Sequence, residues 1–237
     1  MYTLVLLRHG QTTFNKEKMF CGWTDAELTE KGIEEAKTAG QNLKAAGYTF
    51  DVGFCSVLKR AKETLELALK EMGQENLPVN FSWKLNERHY GALQGEKHED
   101  MATKHSPEQV HQWRRSFDVP PPQLVVDDPR HPCNDPLYCD VDKNELPCGE
   151  SLADTIKRVM PYWDSEIVPQ IKAGKQVIIA ASGNSLRALI KSIEGISDQD
   201  IVGLEIKNGT PLIFTLDENM KGIEKYYLGA GGEKLPV

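Results

Sequence analysis

Nowhere in its 237 residues does the chain reach the roughly 18–20 consecutive apolar residues that a membrane-spanning helix requires. Its opening, MYTLVLLRHG, is apolar, but no basic segment precedes the run and no small-residue cleavage site follows it. It therefore reads as a first strand rather than a secretory leader. Cysteine is sparse and odd in number, at Cys21, Cys55, Cys133, Cys139 and Cys148. That excludes a disulfide framework and points to a reducing, cytoplasmic setting with free thiols. Cys133, Cys139 and Cys148, with His131, lack the paired short spacings of structural zinc sites, so no metal is expected. Basic residues are also in deficit, 28 against 35 acidic ones, for a net charge of −7. Such a balance disfavours nucleic acid and acidic membranes as partners. It leaves room for an anionic small molecule if the basic side chains gather in one cleft.

A hydrophobic fraction of 40 % and a charged fraction of 27 % suit a globular protein with a full-sized core. YTLVLL (2–7), FDVGFCS (50–56), PVNFSWKL (78–85), VIIAAS (177–182) and PLIFTLD (211–217) predict strands, the last of them closing the sheet. Between them, helical spacing predicts helices over about 31–46, 58–72, 107–117, 151–171 and 184–193, with Pro161 and Pro169 expected to kink or cap. Residues 118–149 are rich in Pro, Asp, Asn and Cys, and read as an irregular excursion. There is no internal repeat and no linker, which predicts one domain over 1–237. Strands alternating with helices predict an α/β, doubly wound, mainly parallel sheet with helices on both faces. Ligands in such sheets sit beyond the carboxyl ends of the strands, where Arg8-His9-Gly10 and Ser182-Gly183-Asn184 both fall.

Arg8-His9-Gly10 places an imidazole on the rigid end of a buried strand. Imidazole nitrogen is nucleophilic at neutral pH without a separate base, and a phosphoryl group on it is labile enough to be handed on. Arg8 can fork onto phosphate oxygens, and Gly10 lets backbone N–H groups approach an anion. A lone RHG is equally compatible with a histidine that merely caps a strand end. The rest of the chain shifts that balance. Arg60 opens a helix, Glu87, Arg88 and His89 follow a strand, and Arg114 and Arg115 lie in WRRSF. Phosphoryl transfer needs positive clamps and a proton source for the leaving oxygen. Glu87 suits the second role if its burial favours the protonated form; a salt bridge to an arginine is the equally open alternative.

RHG, FNKEKMFCGWTDAELTEKG, LKRAKETL, WKLNERHYGALQG, WRRSFDVPPP, ESLADTIKRVMPYW and GNSLRALIKSIEGISD together resemble the cofactor-dependent phosphoglycerate mutases of the histidine phosphatase superfamily, over about residues 3–229. The resemblance implies a phosphohistidine enzyme of glycolysis and gluconeogenesis that interconverts 3- and 2-phosphoglycerate. It also implies priming by 2,3-bisphosphoglycerate, no metal, and a homodimer or homotetramer. By position it implies His9 as phosphoryl acceptor and Glu87 as proton donor and acceptor. Arg8, Asn15, Gly22, Arg60, Tyr90, Arg114, Arg115, Gly183 and Asn184 become substrate contacts, with Arg88 and His89 beside them in the same motif.

Four departures stand out. The family's A-H-G-N-S turn is Ala181-Ser182-Gly183-Asn184-Ser185 here, so Ser182 occupies the place of a second active-site histidine. Serine offers a single neutral donor, and losing a charged hydrogen bond in the transition state costs about 1.5–3 kcal/mol, or ten- to some hundredfold in rate. An introduced change and a naturally attenuated enzyme account for it equally well, and a synthase- or phosphatase-biased relative and a non-catalytic binding form are the alternatives. Cys21 stands where Thr or Ser is usual, leaving its backbone N–H as the better donor. The family's lysine after Gln94-Gly95 is replaced by His98, with Lys97 one place early, and either side chain could take its role. Finally, the tail after Leu228-Gly229 is shorter than the family's, so closure over the site is expected to differ.

Overall fold

The computed structural model describes residues 1–237. In chain order the strands are β1 (Tyr2–Arg8), β2 (Val52–Cys55), β3 (Val79–Phe81), β4 (Val177–Ala181), β5 (Leu212–Leu216), β6 (Gly222–Leu228) and β7 (Lys234–Leu235). The helices are α1 (Thr13–Lys16), α2 (Glu30–Ala45), α3 (Lys59–Met72), α4 (His98–Lys104), α5 (Pro107–Arg115), α6 (Leu152–Tyr162), α7 (Val168–Lys172) and α8 (Gly183–Glu194).

All seven strands join one sheet in the order β3-β2-β4-β1-β5-β6-β7. β3, β2, β4 and β1 run parallel, whereas β5, β6 and β7 add antiparallel strands at the other edge. The α/β layering matches the expectation from sequence, but the sheet is mixed, because β5 pairs antiparallel with β1 and β6 and β7 continue that edge. β6 carries no strand signal in the sequence, because its first three residues, Gly222-Ile223-Glu224, are exposed and only its end is buried. A strand half out of the core carries little apolar pattern.

Alternate residues of the central strands supply the two faces of the sheet. Leu4, Leu6, Ile179 and Phe214 pack with Val159 and Trp163 and with Leu186 and Leu189 of α8 on one side. Val5, Leu7, Ile178 and Ala180 pack with Ala39 and Leu43 of α2 and Leu65 and Leu69 of α3 on the other. Burial on both faces explains why β1 and β4 read as unbroken apolar runs.

Helix ends follow local chemistry. Thr29 accepts the Gly32 N–H to start α2, and Ser106 caps α5 with Pro107 in its first turn. Ser151 and Asp154 form a reciprocal capping box on α6. α6 continues through Pro161, then widens into a π turn at Trp163–Ile167 before α7. α4 was not foreseen; PVNFSWKL yields only three strand residues before a 3₁₀ turn at Trp83–Leu85. The excursion over 118–149 holds three 3₁₀ turns, at 132–134, 136–138 and 143–145. No helix is long and apolar enough to cross a membrane, and all five cysteines are free thiols.

β1 and β4 pair in register from Leu4↔Val177 to Arg8↔Ala181. The His9 N–H then donates to the Ala181 carbonyl at 3.1 Å. The residues after both strands are thereby set side by side at one rim.

Candidate active site

A cavity of about 340 Å³ opens at that rim, lined by Arg8 at the end of β1 and His9 just after it, Arg60 from α3, and Gly183, Asn184 and Arg187 from α8. Asn15, Cys21, Gly22, Glu87, Tyr90, His98, Arg114, Arg115 and Glu205 complete much of the wall. Five guanidinium groups face two carboxylates here, in a chain that is acidic overall. The basic residues have gathered, as an anion site requires.

His9 is 3 % exposed. Its Nδ1 lies 2.8 Å from the Gly10 carbonyl, an acceptor only, so Nδ1 carries the proton and the lone pair is on Nε2. Burial, then the charges of Arg60 and Arg8, hold the imidazole well below the usual histidine range. It is neutral at physiological pH, with its free nitrogen toward the cations. Arg60 Nε donates to His9 Nε2 at 3.2 Å, and Arg60 Nη2 and Nη1 are anchored on the Gly22 and Thr24 carbonyls.

Glu87 Oε1 accepts the Arg88 N–H at 2.7 Å and the Asn184 N–H at 3.1 Å. Oε2 takes no hydrogen bond from the chain. Burial lowers Arg8, whose Nη1 donates to the Ile206 carbonyl at 2.6 Å, and lowers Arg114. Burial, then repulsion by Arg88, pushes Arg187 down to about 10. The buried Nε atoms of Arg8 and Arg187 have no partner in the chain. An orphaned charged donor is costly, and an anion would satisfy it.

A family model for branch 1 of the histidine phosphatase superfamily matches residues 4–228. The chain belongs to this superfamily. It superposes on YhfR of Bacillus stearothermophilus with a TM-score of 0.71 and 22 % identity, over 98 % of each chain. A mycobacterial glucosyl-3-phosphoglycerate phosphatase in complex with VO3 gives 0.69 and 22 %, over 96 % of this chain and 97 % of that one. The alpha-ribazole phosphatase of Shigella flexneri gives 0.67 and 21 %, over 99 % and 98 %. At these identities the likeness is one of fold.

Most of the candidate positions in the sequence meet in the cavity; four do not line it. Ser182 is wholly buried, and its Oγ has no hydrogen-bond partner, because a short side chain at this strand-to-helix turn stays inside the protein. Arg88 turns away, its Nη2 donating to the Tyr90 hydroxyl at 2.9 Å and the Arg114 carbonyl at 2.6 Å. The His89 ring packs on Trp23 and accepts the Gly91 N–H at 3.0 Å. Lys97 is exposed, while His98 stacks edge-on against Phe20 at 4.5 Å and lines the wall. His98, not Lys97, thus faces the cavity; burial, then Arg114, depresses it to about 4.

Gly10 also has a different reason to be glycine from the expected one. A Cβ there would lie 2.3 Å from the Gly32 carbonyl oxygen, so the requirement is close packing on α2, not access for an anion. Cys21 Sγ donates to the Thr24 carbonyl at 3.2 Å, and burial raises its thiol. The sequence reading missed Arg187, Asn208 and Glu205. Asn208 Nδ2 holds the His9 carbonyl at 2.9 Å, and Glu205 pairs with Arg115 at the rim. Of the three, only Arg187 lies within one of the motifs, GNSLRALIKSIEGISD.

Proposed function

We propose that this member of the histidine phosphatase superfamily is a phosphoglycerate mutase that interconverts 3- and 2-phosphoglycerate through a phosphohistidine at His9. The observation that carries the reading is one neutral imidazole, with Nε2 as its available nitrogen, in the wall of a cavity bearing five guanidinium groups. One phosphoryl group needs two or three such clamps; the surplus suits a substrate with a second anionic group, such as the carboxylate of phosphoglycerate.

The unpaired Nε atoms of Arg8 and Arg187 fit 2,3-bisphosphoglycerate, which supplies the priming phosphoryl group when bound. Arg8, Arg60, Arg114, Arg115 and Arg187 would hold it, and the Gly10 carbonyl keeps the His9 tautomer during transfer. Glu87 Oε2 gives its proton to the departing oxygen and takes one back in the reverse step. Guanidinium charge takes the place of a metal. We place the reaction in the cytoplasm, in glycolysis and gluconeogenesis, with the chain as a homodimer or homotetramer.

Ser182 offers the transferring group nothing, since its hydroxyl does not reach the cavity, and we assign reduced turnover to this position. A hydrolytic reading has its own support in the structural neighbours whose names are those of phosphatases. One experiment separates the two. Protein treated with 2,3-bisphosphoglycerate and digested should carry acid-labile phosphate on His9 by mass spectrometry, and NMR should show 3-phosphoglycerate converting to the 2-isomer. Release of inorganic phosphate without isomer exchange would establish the phosphatase instead, and phosphate on any other residue would end both readings.

A further inference from the structure

Glu87 sits on irregular backbone, between the 3₁₀ turn at Trp83–Leu85 and the next at Gly91–Leu93. No strand ladder or helix holds it, so its placement needs other anchors. They come from ESLADTIKR, a motif whose charged residues have no part in the cavity. Arg158 of α6 forks onto Glu150, Nε to Oε1 at 2.7 Å and Nη2 to Oε2 at 2.8 Å, with both side chains buried. The same guanidinium reaches four carbonyls of the loop. Nη1 donates to Trp83, Lys84 and Asn86 at 3.2, 2.8 and 3.2 Å, and Nη2 donates to Glu87 at 3.2 Å. Glu150 grips the loop from the other side, its Oε2 accepting the His89 N–H at 2.8 Å while its own N–H donates to the His89 carbonyl at 2.8 Å. Trp23 stacks beneath Arg158 and adds its Nε1–H to the Glu87 carbonyl at 2.5 Å.

We propose that Glu150 and Arg158 are positioning residues that set Glu87 for proton transfer, holding residues 83–89 from below while Glu87 reaches up to the cavity. The inference rests on the reading of Glu87 as proton source. In the step concerned, the bond from phosphorus to the substrate oxygen breaks and the bond from His9 Nε2 to phosphorus forms. The proton of Glu87 goes to the departing oxygen, leaving an alcohol and a carboxylate. A displacement of well under an ångström at Glu87 would weaken that proton transfer and leave nucleophilic attack intact. Lysine cannot replace Arg158, because a single ammonium cannot fork onto a carboxylate and span four carbonyls.

The test compares leaving groups in single-turnover phosphorylation of His9. Phosphoglycerate departs as an alkoxide and needs the proton; p-nitrophenyl phosphate departs as a stabilised phenolate and does not. Arg158→Lys should slow the first donor on the order of 10- to 100-fold, inside the span general acid catalysis contributes, and the second by less than about twofold. Glu150→Gln, which keeps an acceptor for His89, should show the same split, and an unchanged rate with the aryl donor certifies a folded protein in each case. Equal loss with both donors, or no loss with either, overturns the proposal. Glu87→Gln is the control: if it splits the donors and the other two variants do not, only the positioning role fails. If Glu87→Gln shows no split, the role of Glu87 as proton source is wrong and this inference falls with it.

Discussion

Arg60 Nε lies 3.2 Å from His9 Nε2, so a buried cation addresses the lone pair of the imidazole itself. The contact does two things at once. After burial, which is the larger cause, it helps keep the imidazole unprotonated, since a second positive charge beside the guanidinium is unfavourable. In the proposed transfer it also stations a donor where a phosphoryl oxygen would arrive, and attack would require that donor to pass from nitrogen to oxygen.

Replacing Arg60 by Gln should therefore move two quantities in opposite directions. The rate of His9 phosphorylation should fall about ten- to a hundredfold, the equivalent of a charged hydrogen bond worth about 1.5–3 kcal/mol. The His9 titration, followed by NMR, should rise toward the ordinary histidine range. A slower enzyme with an unmoved histidine would place the role of Arg60 in ligand binding alone.

Arg187 is 4 % exposed, with Nη1 on Asn184 Oδ1 at 2.8 Å, Nη2 on the Ile201 carbonyl and Nε unpaired. Arg187→Gln should weaken substrate affinity by a factor of about 10 or more, as expected for one charge-assisted hydrogen bond. Titration calorimetry with phosphoglycerate reads this directly. Unchanged affinity would show that the cavity wall at Arg187 is not a binding surface.

Ser182 sets up a comparison between two substitutions. Removing a buried, unpaired hydroxyl relieves a cost of about 1–3 kcal/mol, so Ser182→Ala should hold or raise Tm and leave turnover within about twofold. Ser182→His should raise turnover about ten- to a hundredfold if the longer ring reaches the cavity with a charged donor. A collapse of activity in the alanine variant would mean that the hydroxyl takes part after all.

His89 makes stability depend on pH with a definite sign. Burial, then the nearby charges of His131, Arg158 and Arg130, depresses it from 6.5 to about 3. Between those values the unfolded chain binds a proton that the folded one refuses. Stability is therefore greatest above pH 6.5 and falls as the solution is acidified, by about 1.4 kcal/mol per pH unit for each such group. Thermal melts from pH 7 to 4 should show the decline, and His89→Gln should flatten it by about one proton. An unaltered slope would place the proton uptake elsewhere.

Much of the architecture could be read from local patterns. Runs such as YTLVLL and VIIAAS announce strands buried on both faces, because hydrophobic burial acts residue by residue along the chain. Leu65 and Leu69 announce the buried face of α3, and Thr29 and Ser151 announce helix starts, because caps and helical periods are short-range. β6 and α4 left no such trace, being half-exposed and short. His9, Arg60 and Glu87 were legible as candidates since their residue types and motifs speak for phosphoryl chemistry.

The residues alone determined which groups could act: an imidazole after an apolar strand, several guanidinium groups and one acidic side chain in the same set of motifs. Which of them act together was decided by tertiary structure. The register of β1 on β4 set His9 beside the N-terminus of α8, and the packing of α3 brought Arg60 to its nitrogen. The same folding turned Arg88, His89 and Ser182 inward, and recruited Arg187 from a helix position that looks like many others. Side-chain direction at a turn depends on what surrounds it in space, and residues distant in the chain supply those surroundings.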